Sequence, residues 1–284
     1  MKIAKVIATT FAPRSVREKT TLCGKPIGYF AHSQNFPTRE SIIDLINFTI
    51  EAELKCNPGS PVDLIIVNGD TGWEPGKRFL DSLNGKQLKH GKIHVLHREP
   101  VGLSYGGYDH AFKMVGNNYD YFIFTEDDVI ITRDGYASIG VEVFNKTRNC
   151  GFVAYQCLSS IGLDLSPEDA LAAHCGCGLT SVKVLNDVVK HYGSLPHSRE
   201  KSSSPDRAEQ SRNGEIAFTN KIHKLGYKLV SIPDHIKLYD FAYDLMRGLN
   251  IRRFPSFSER LIFTIKNKAY KYKIVRSIHI RLKK

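Results

Sequence analysis

The sequence predicts an α/β fold with a mainly parallel central sheet and helices on both faces. In the first half of the chain, short apolar runs typical of buried strands alternate with stretches of helical periodicity. Polar residues follow these predicted strands, as expected where parallel strands end at a ligand-binding edge. The 284 residues are 42% hydrophobic, which is enough for one large domain or two small ones.

The first half predicts four strands and two helices. Residues 38–55 place four apolar side chains on one helical face, and Thr38 stands where it caps the first turn. Residues 103–115 predict a second helix, which Gly106 and Gly107 weaken. Residues 68–91 are predicted as a loop. The predicted strands are the apolar runs 3–8, 62–67, 92–97 and 121–125.

The second half is less regular. Residues 214–227 predict a helix with Ile216, Thr219 (or Asn220) and His223 along one side. The polar run 194–214, rich in serine, predicts a mobile loop, and long loops inside compact domains are usually functional or disordered. The predicted strands of this half are 151–157, 177–182 and 228–232.

Three consecutive carboxylates, Glu126, Asp127 and Asp128, have apolar residues on both sides. Like charges this close repel each other, and partly buried ones also lose hydration. Two interpretations follow: a solvated turn in which Asp127 or Asp128 caps a helix, or a cation site. Mg2+ and Mn2+ prefer oxygen ligands and usually take one or two carboxylates together with substrate phosphates. The cation interpretation gains support from the other strand-end residues expected at this edge: Thr9, Thr10, Asp70, Arg98 and Glu99.

This order of elements resembles the GT-A fold glycosyltransferases, most closely the family 2 group, over roughly residues 2–240. In that family the fourth strand ends in an Asp-x-Asp motif, and Glu126-Asp127-Asp128 stands in its place with glutamate at the first position. The resemblance implies that Asp128 binds Mn2+ or Mg2+ directly. It implies that Glu126 meets the ribose or the water shell of the metal, and that Asp127 either binds the nucleotide-sugar or is structural.

The resemblance also implies a nucleotide-sugar site. Asp70 takes the place of the acidic residue that meets the base or ribose, and Gly102 and Ser104 lie in the glycine-containing segment near the nucleotide. Thr9 ends the first strand at the same site, although residues 9–13 lack the Pro-x-x-Asn pattern common in the family. Trp73, the only tryptophan, either lines the sugar or acceptor site or is partly buried packing.

An inverting transfer needs a base that accepts the proton of the acceptor hydroxyl. The family places an acidic residue at the start of a helix after a flexible loop, and Glu215 matches that position. The alternative is a first-turn acid favoured by the helix dipole. Asp206 and Asp169 are the next candidates. The late histidine that many members carry, a metal ligand, corresponds to His235, which comes slightly early; Asp240 competes for this role.

Other motifs give weaker signals. His174-Cys175-Gly176-Cys177 has too few neighbouring ligands for a zinc site, where Cys157 is the only other candidate. The six cysteines are expected to be free thiols in a reducing compartment, because residues 1–11 read as a strand and not as a signal peptide. No Gly-x-Ser-x-Gly elbow and no dinucleotide fingerprint occur.

The last part of the chain carries nearly all of the net charge. Residues 252–284 hold eleven basic residues and one acid, Glu259, so they account for +10 of the total +11. Apolar residues at helical spacing lie between the lysines and arginines. A basic amphipathic helix is typical of a membrane-surface element. The alternatives are a plain solvated helix and a nucleic-acid patch. The second is disfavoured by the aliphatic stripe and by the lack of a nucleic-acid fold signature.

Two domains are therefore expected. Residues 1–250 form the GT-A catalytic domain, with a nucleotide-binding half (1–130) and an acceptor-side half (131–250), and 251–284 form the basic tail. The resemblance implies a metal-dependent transferase that uses a UDP-sugar or another nucleoside diphosphate sugar at the cytoplasmic face of the membrane. Two alternatives stay open: an inactive sugar- or nucleotide-binding protein on this fold, and a nucleotidyltransferase. A nucleotidyltransferase would need a glycine-rich, lysine-bearing signature near the first strand, and this sequence has none there.

Overall fold

A computed structural model describes residues 1–12, 21–22, 25–26, 38–155, 157–159, 171–173, 176–197, 212–233 and 236–242. The strands are β1 (Ile3–Thr9), β2 (Thr21–Leu22), β3 (Lys25–Pro26), β4 (Val62–Gly69), β5 (Gln87–Leu88), β6 (Gly91–Arg98), β7 (Tyr121–Glu126), β8 (Val129–Ile131), β9 (Cys150–Ala154), β10 (Cys157–Ser159), β11 (Leu171–Ala173), β12 (Gly178–Ser181), β13 (Lys228–Ser231) and β14 (Tyr239–Phe241). The helices are α1 (Arg39–Lys55), α2 (Glu74–Leu83), α3 (Leu103–Val115), α4 (Tyr136–Lys146), α5 (Val182–Tyr192) and α6 (Ala217–Lys224).

The predicted α/β class is confirmed by an eight-stranded sheet in the order β13-β9-β12-β7-β1-β4-β6-β5. Its centre is parallel: β1 pairs with β4 and β7, and β6 pairs with β4. One internal strand, β12, runs antiparallel to both of its neighbours. The register places Thr9 opposite Asn68, Gly69 opposite Arg98, and Ala8 opposite Glu126. The ends of these four strands therefore meet along one edge, as the sequence predicts.

Helices cover both faces of the sheet, because the central strands are apolar on both sides. Ile3 and Ile7 of β1 point into a core shared with α1, α2 and α4. Ala4 and Val6 point into a second core shared with α3, α5 and α6. Thr38 caps α1 as predicted, since its side chain accepts a hydrogen bond from the Ser41 N–H.

The predicted loop over residues 68–91 is wrong, because it contains helix α2. The adjacent Pro75 and Gly76 are residue types that favour a turn of the chain. Proline is nevertheless well tolerated in the first turn of a helix, where its missing N–H costs no hydrogen bond. Gly76 is required by packing: a Cβ there would lie 2.5 Å from the Trp73 ring and 2.6 Å from the Phe11 ring.

Three other boundaries differ from the predictions. The run 151–157 does not form one strand, since β9 ends at Ala154 and β10 pairs with β11 in a separate sheet. The predicted helix 214–227 begins as a π-helical turn, Arg212–Ile216, and only then continues as α6. Of the three residues predicted along one side, Thr219 is buried, together with Phe218 and Ile222. Residues 198–211 of the predicted mobile loop and the whole basic tail lie outside the described residues.

No described helix is both long enough and apolar enough to cross a membrane. Cys56, Cys150 and Cys177 are free thiols. The side chains of the other three cysteines lie outside the described part of the chain.

Candidate active site

The three carboxylates form a tight turn, called here the acidic turn (Glu126, Asp127 and Asp128), between β7 and β8. Three contacts hold Asp127 in place. Its N–H donates to the Ala8 carbonyl (3.2 Å), its carboxylate accepts from the Thr9 hydroxyl (2.7 Å), and its carbonyl accepts from the Thr49 hydroxyl of α1 (2.8 Å). Asp127 is only 3% exposed. Asp127 therefore anchors the turn to β1 and α1, in agreement with its structural interpretation.

Asp128 is equally buried, at 3% exposure, and its carbonyl accepts a hydrogen bond from the Ala242 N–H (2.8 Å). The charges of Asp128 and Glu126 both act on the buried Cys177 thiol. Burial raises the pKa of Cys177, and the negative charges of Glu126 and Asp128 raise it further, while Lys5 opposes them. Asp128 and Glu126 thus offer two hard oxygen ligands within one short turn.

The donor set fits a divalent cation that also takes ligands from a substrate. Within the described part of the chain, no three His, Cys, Asp or Glu side chains lie close enough to hold a metal ion by themselves. Mg2+ and Mn2+ are commonly bound by one or two carboxylates with phosphates and water completing the shell. Asp128 and Glu126 match that mode better than an all-protein site. His235 lies outside the described residues, and the competing Asp240 forms an ion pair with Lys237.

A polar row continues from the acidic turn across the ends of β1, β4 and β6. Asn68 lies beside Thr9 and donates from its amide Nδ2 to His97 Nδ1 (3.2 Å), while His97 Nε2 contacts the Asp81 carboxylate (2.8 Å). The Asn68 side chain is 1% exposed, and its Oδ1 has no hydrogen-bond partner among the described residues. A buried amide oxygen without a partner is costly, so this atom marks a place where a further donor is needed.

The loop after β4 carries two predicted residues. The Asp70 carboxylate accepts a hydrogen bond from the Gly72 N–H (2.8 Å), which closes a local turn, and its own N–H donates to the Arg98 carbonyl (2.8 Å). Trp73 is half-buried and packs on Phe11, with ring centroids 5.2 Å apart. The structure thus gives Trp73 the packing contact that the sequence left open.

Arg98 shapes the segment that contains Gly102 and Ser104. Its guanidinium donates to the carbonyls of Glu99 (2.9 Å), Val101 and Leu103 (2.8 Å). Burial lowers the pKa of Arg98, against the opposing charge of Asp109. Gly102 then begins α3 with φ of 74°, a left-handed conformation that glycine adopts without strain. Ser104 lies in the first turn of α3, directly after this cap.

Glu215 arrives at this edge from the second half of the chain. It lies in the π-helical turn that leads into α6, and its carbonyl accepts a hydrogen bond from the Thr219 hydroxyl (2.9 Å). The preceding Gly214 packs on Tyr105 of α3, since a Cβ there would lie 2.8 Å from the ring. Burial raises the pKa of Tyr105 well above its usual value, and the charges of Glu215 and Glu126 raise it further. Gly214, next to the base candidate, therefore lies against the first turn of α3.

Sequence reasoning missed three residues of this site. Tyr105, Asn68 and Thr49 look like ordinary members of two helices and a strand, and their roles depend on contacts with distant segments. A weak signal existed for Asn68, because an amide at the end of an otherwise apolar strand is unusual. Nothing in the sequence marked Tyr105 as a site residue except its place between Gly102 and Gly106. Asp206 and Asp169, the other base candidates, lie outside the described residues.

No protein-family model and no curated protein matches the chain. Several solved structures resemble its fold. A Bacillus anthracis protein assigned as a glucose-1-phosphate thymidylyltransferase, in complex with sucrose, is 16% identical with a TM-score of 0.48, over 90% of this chain and 97% of its own. The Pyrobaculum calidifontis mannosyltransferase PcManGT, in complex with GDP-Man and Mn2+, is 11% identical with a TM-score of 0.43, over 82% and 55%. TarS (residues 1–349) from S. aureus is 11% identical with a TM-score of 0.42, over 84% and 59%.

This chain spans little more than half the length of the last two structures. At such identities and TM-scores, the resemblances assign no activity. The structure itself shows an α/β fold with four central parallel strands, an internal antiparallel strand, and an acidic turn at the carboxyl end of β7.

Proposed function

We propose that this protein is a glycosyltransferase that moves a sugar from a nucleoside diphosphate sugar to a glycan or a lipid-linked acceptor. The observation that carries the proposal is the acidic turn at the edge where β1, β4, β6 and β7 end, held there by the contacts of Asp127 with Thr9 and Thr49. Glu215 comes from the second half of the chain, and the Gly214 before it packs on Tyr105 in the first turn of α3. The proposed inverting transfer uses carboxylates in two places. Those of the acidic turn act near the departing diphosphate, and Glu215 acts near the acceptor.

The acidic turn serves the donor. Asp128 and Glu126 would hold Mn2+ or Mg2+, which as a Lewis acid would stabilise the charge that develops on the departing diphosphate. Asp127 keeps the turn rigid through Thr9 and Thr49. Metal-binding carboxylates that are held rigidly need not reorganise as charge develops during the reaction, and this avoids an energetic cost.

Glu215 serves the acceptor. As a general base it accepts the proton from the attacking hydroxyl, which makes the transfer an inverting one. Its position in the π-helical turn that leads into α6, next to Gly214 where the backbone packs on Tyr105, supports this role. Asp70, Gly102 and Ser104 are the proposed contacts of the nucleotide, for which we propose UDP.

The basic tail, residues 252–284, is proposed to bind the anionic inner surface of the membrane. Each basic residue near such a surface contributes about 1 kcal/mol, so a net charge of +10 is ample for reversible docking. We accordingly propose that the enzyme acts at the cytoplasmic face of the membrane, where a growing surface glycan or lipid-linked saccharide would be the acceptor.

A panel of UDP-, GDP- and dTDP-sugars tests the proposal. With Mn2+ and a mixture of lipid-linked and glycan acceptors, we expect release of the nucleoside diphosphate from at least one donor and no release after chelation. Binding of nucleotide without turnover would favour the inactive binding protein. Release of pyrophosphate from a nucleoside triphosphate and a sugar phosphate would instead identify a nucleotidyltransferase.

A further inference from the structure

The acidic turn leads directly into β8, and β8 is held by β14, the last described strand of the chain. The two strands are antiparallel. At one end of this pairing the Ala242 N–H donates to the Asp128 carbonyl (2.8 Å), and at the other end the Thr132 N–H donates to the Leu238 carbonyl (3.0 Å). The backbone of the proposed metal ligand is therefore tied to the far end of the described chain.

Ala242 is fully buried in a small apolar cluster with Ile130 of β8 and Leu45 of α1. Leu45 lies about one helical turn before Thr49, whose hydroxyl binds the Asp127 carbonyl. The same helix therefore binds the acidic turn and packs against the strand that leaves it. A backbone N–H in such surroundings has no water to replace a lost acceptor, so this hydrogen bond is costly to break.

The hydrogen bond from Ala242 acts on the backbone of Asp128, and the backbone limits where the carboxylate can lie. Aspartate has a short side chain, and the rotamers open to it depend on the backbone angles of the residue. The nearby acid of β14, Asp240, forms an ion pair with Lys237. The segment 238–242 thus meets the acidic turn through its backbone.

We propose that Ala242 is a positioning residue whose N–H holds Asp128 in the orientation that binds the metal ion. This inference rests on the proposed function, in which Asp128 is the direct metal ligand. A ligand that is already oriented loses less conformational freedom when the ion arrives. The contact therefore raises the affinity for the metal, although Ala242 itself touches neither metal nor nucleotide.

The substitution Ala242→Pro removes the N–H and puts a ring carbon in its place, so the Asp128 carbonyl loses its donor. We expect the Mn2+ concentration for half-maximal activity, and the Kd of Mn2+-dependent UDP binding, to rise about tenfold, the scale of one lost hydrogen bond. At saturating Mn2+, kcat should change less than about twofold, because the carboxylate is intact. A merely structural defect would lower the amount of active protein without changing the Mn2+ requirement.

Thr132→Pro is the matched control. It removes the hydrogen bond at the other end of the same pairing by the same chemical change, and Thr132 is exposed. Urea unfolding should show a loss of stability similar to that of Ala242→Pro. Its Mn2+ requirement and its UDP affinity should remain those of the wild type.

Amide hydrogen exchange tests the same contact in the unaltered full-length protein. Coupling free energies are reciprocal, so a metal ion bound at Asp128 must strengthen the hydrogen bond from Ala242. We expect exchange of the Ala242 amide, followed residue by residue with NMR, to slow about tenfold when Mn2+ and UDP are both present, and little with UDP alone. The Thr132 amide should slow less.

Two results would overturn the inference and leave the proposed function intact. One is an equal rise of the Mn2+ requirement in both proline variants, which would mean that the strand pairing acts only on stability. The other is an Ala242 amide whose exchange does not slow when Mn2+ and UDP bind, and this result decides the matter even if Ala242→Pro does not fold. If the wild-type protein binds UDP equally with and without Mn2+, the proposed metal site fails, and the positioning role fails with it.

Discussion

The Thr9 hydroxyl donates a 2.7 Å hydrogen bond to the Asp127 carboxylate, and this contact ties the acidic turn to the central strand of the sheet. Both side chains are buried, with exposures of 7% and 3%. A buried hydrogen bond to a charged group is worth about 1.5–3 kcal/mol. The contact therefore both stabilises the fold and fixes the carboxylates that we propose to bind the metal.

Thr9→Val, which keeps the shape and removes the hydroxyl, should lower the free energy of unfolding by about 1–3 kcal/mol, because Asp127 loses a buried donor. It should also weaken Mn2+-dependent binding of UDP several-fold. Thr180→Val is the control: the fully buried Thr180 hydroxyl donates to the Gly151 carbonyl (2.7 Å), and Thr180 pairs with Phe122, far from the acidic turn. Equal losses of UDP binding in both variants, measured by calorimetry, would show that Thr9 has no special role.

Asp128→Asn should abolish turnover and weaken Mn2+-dependent binding of UDP, because an amide lacks the negative charge that a hard cation prefers. Folding should be retained, since the two side chains have nearly the same shape. The measurement is a titration of Mn2+ against rate and against UDP affinity, with circular dichroism as the check on folding. Wild-type metal dependence in this variant would move the metal site elsewhere.

Glu215→Gln keeps the shape of the side chain and removes its basicity. Positioned bases contribute about 100- to 10,000-fold, and we expect a fall of that size in the transfer rate with donor affinity largely retained. Single-turnover kinetics with a fixed donor concentration measure it. A fall of less than a few-fold would shift the role to Asp206 or Asp169, or indicate a retaining mechanism.

Beneath the acidic turn, a buried ionic network joins β1, α1 and α4. The Lys5 ammonium contacts one oxygen of Glu53, and the Tyr136 hydroxyl donates to the other (2.7 Å). Glu53→Ala should cost about 3–5 kcal/mol of unfolding free energy, because it leaves the fully buried Lys5 charge without compensation.

The exposed Glu51 of the same helix, paired with Lys55 at 3.8 Å, provides the comparison. Glu51→Ala should cost no more than about 0.5 kcal/mol. Urea unfolding measures both variants. A Glu53→Ala cost as small as that of Glu51→Ala would mean that Lys5 is hydrated or has another partner.

The sequence predicts the fold well and the site only in part. Apolar strands are read directly from local pattern, which is why β1, β4, β6 and β7 fall within two residues of their predicted ends. Helix α2 is missed because Pro75 and Gly76 carry the local signal of a turn. The contact of Asn68 with His97 depends on the register between β4 and β6, and that of Tyr105 with Phe218 depends on how α6 packs. A short stretch of sequence encodes neither. The acidic turn is predictable because three adjacent charges between apolar runs are unusual in any fold.

The last prediction concerns the basic tail. A chain cut after residue 250 should retain folding, because all strands of the eight-stranded sheet and helices α1 to α6 lie before that point. It loses +10 of the net charge of +11 and should no longer bind anionic vesicles. Activity on a soluble acceptor analogue should survive, while activity on a membrane-embedded acceptor should fall. The full-length protein should leave the vesicles as salt rises, because ions screen surface charge over about 10 Å at 0.1 M. Vesicle sedimentation with and without anionic lipid, at low and high salt, measures the binding. Equal binding by both chains, or a truncated chain that no longer folds, would contradict the membrane role; the second result would mean that the tail packs against the catalytic domain.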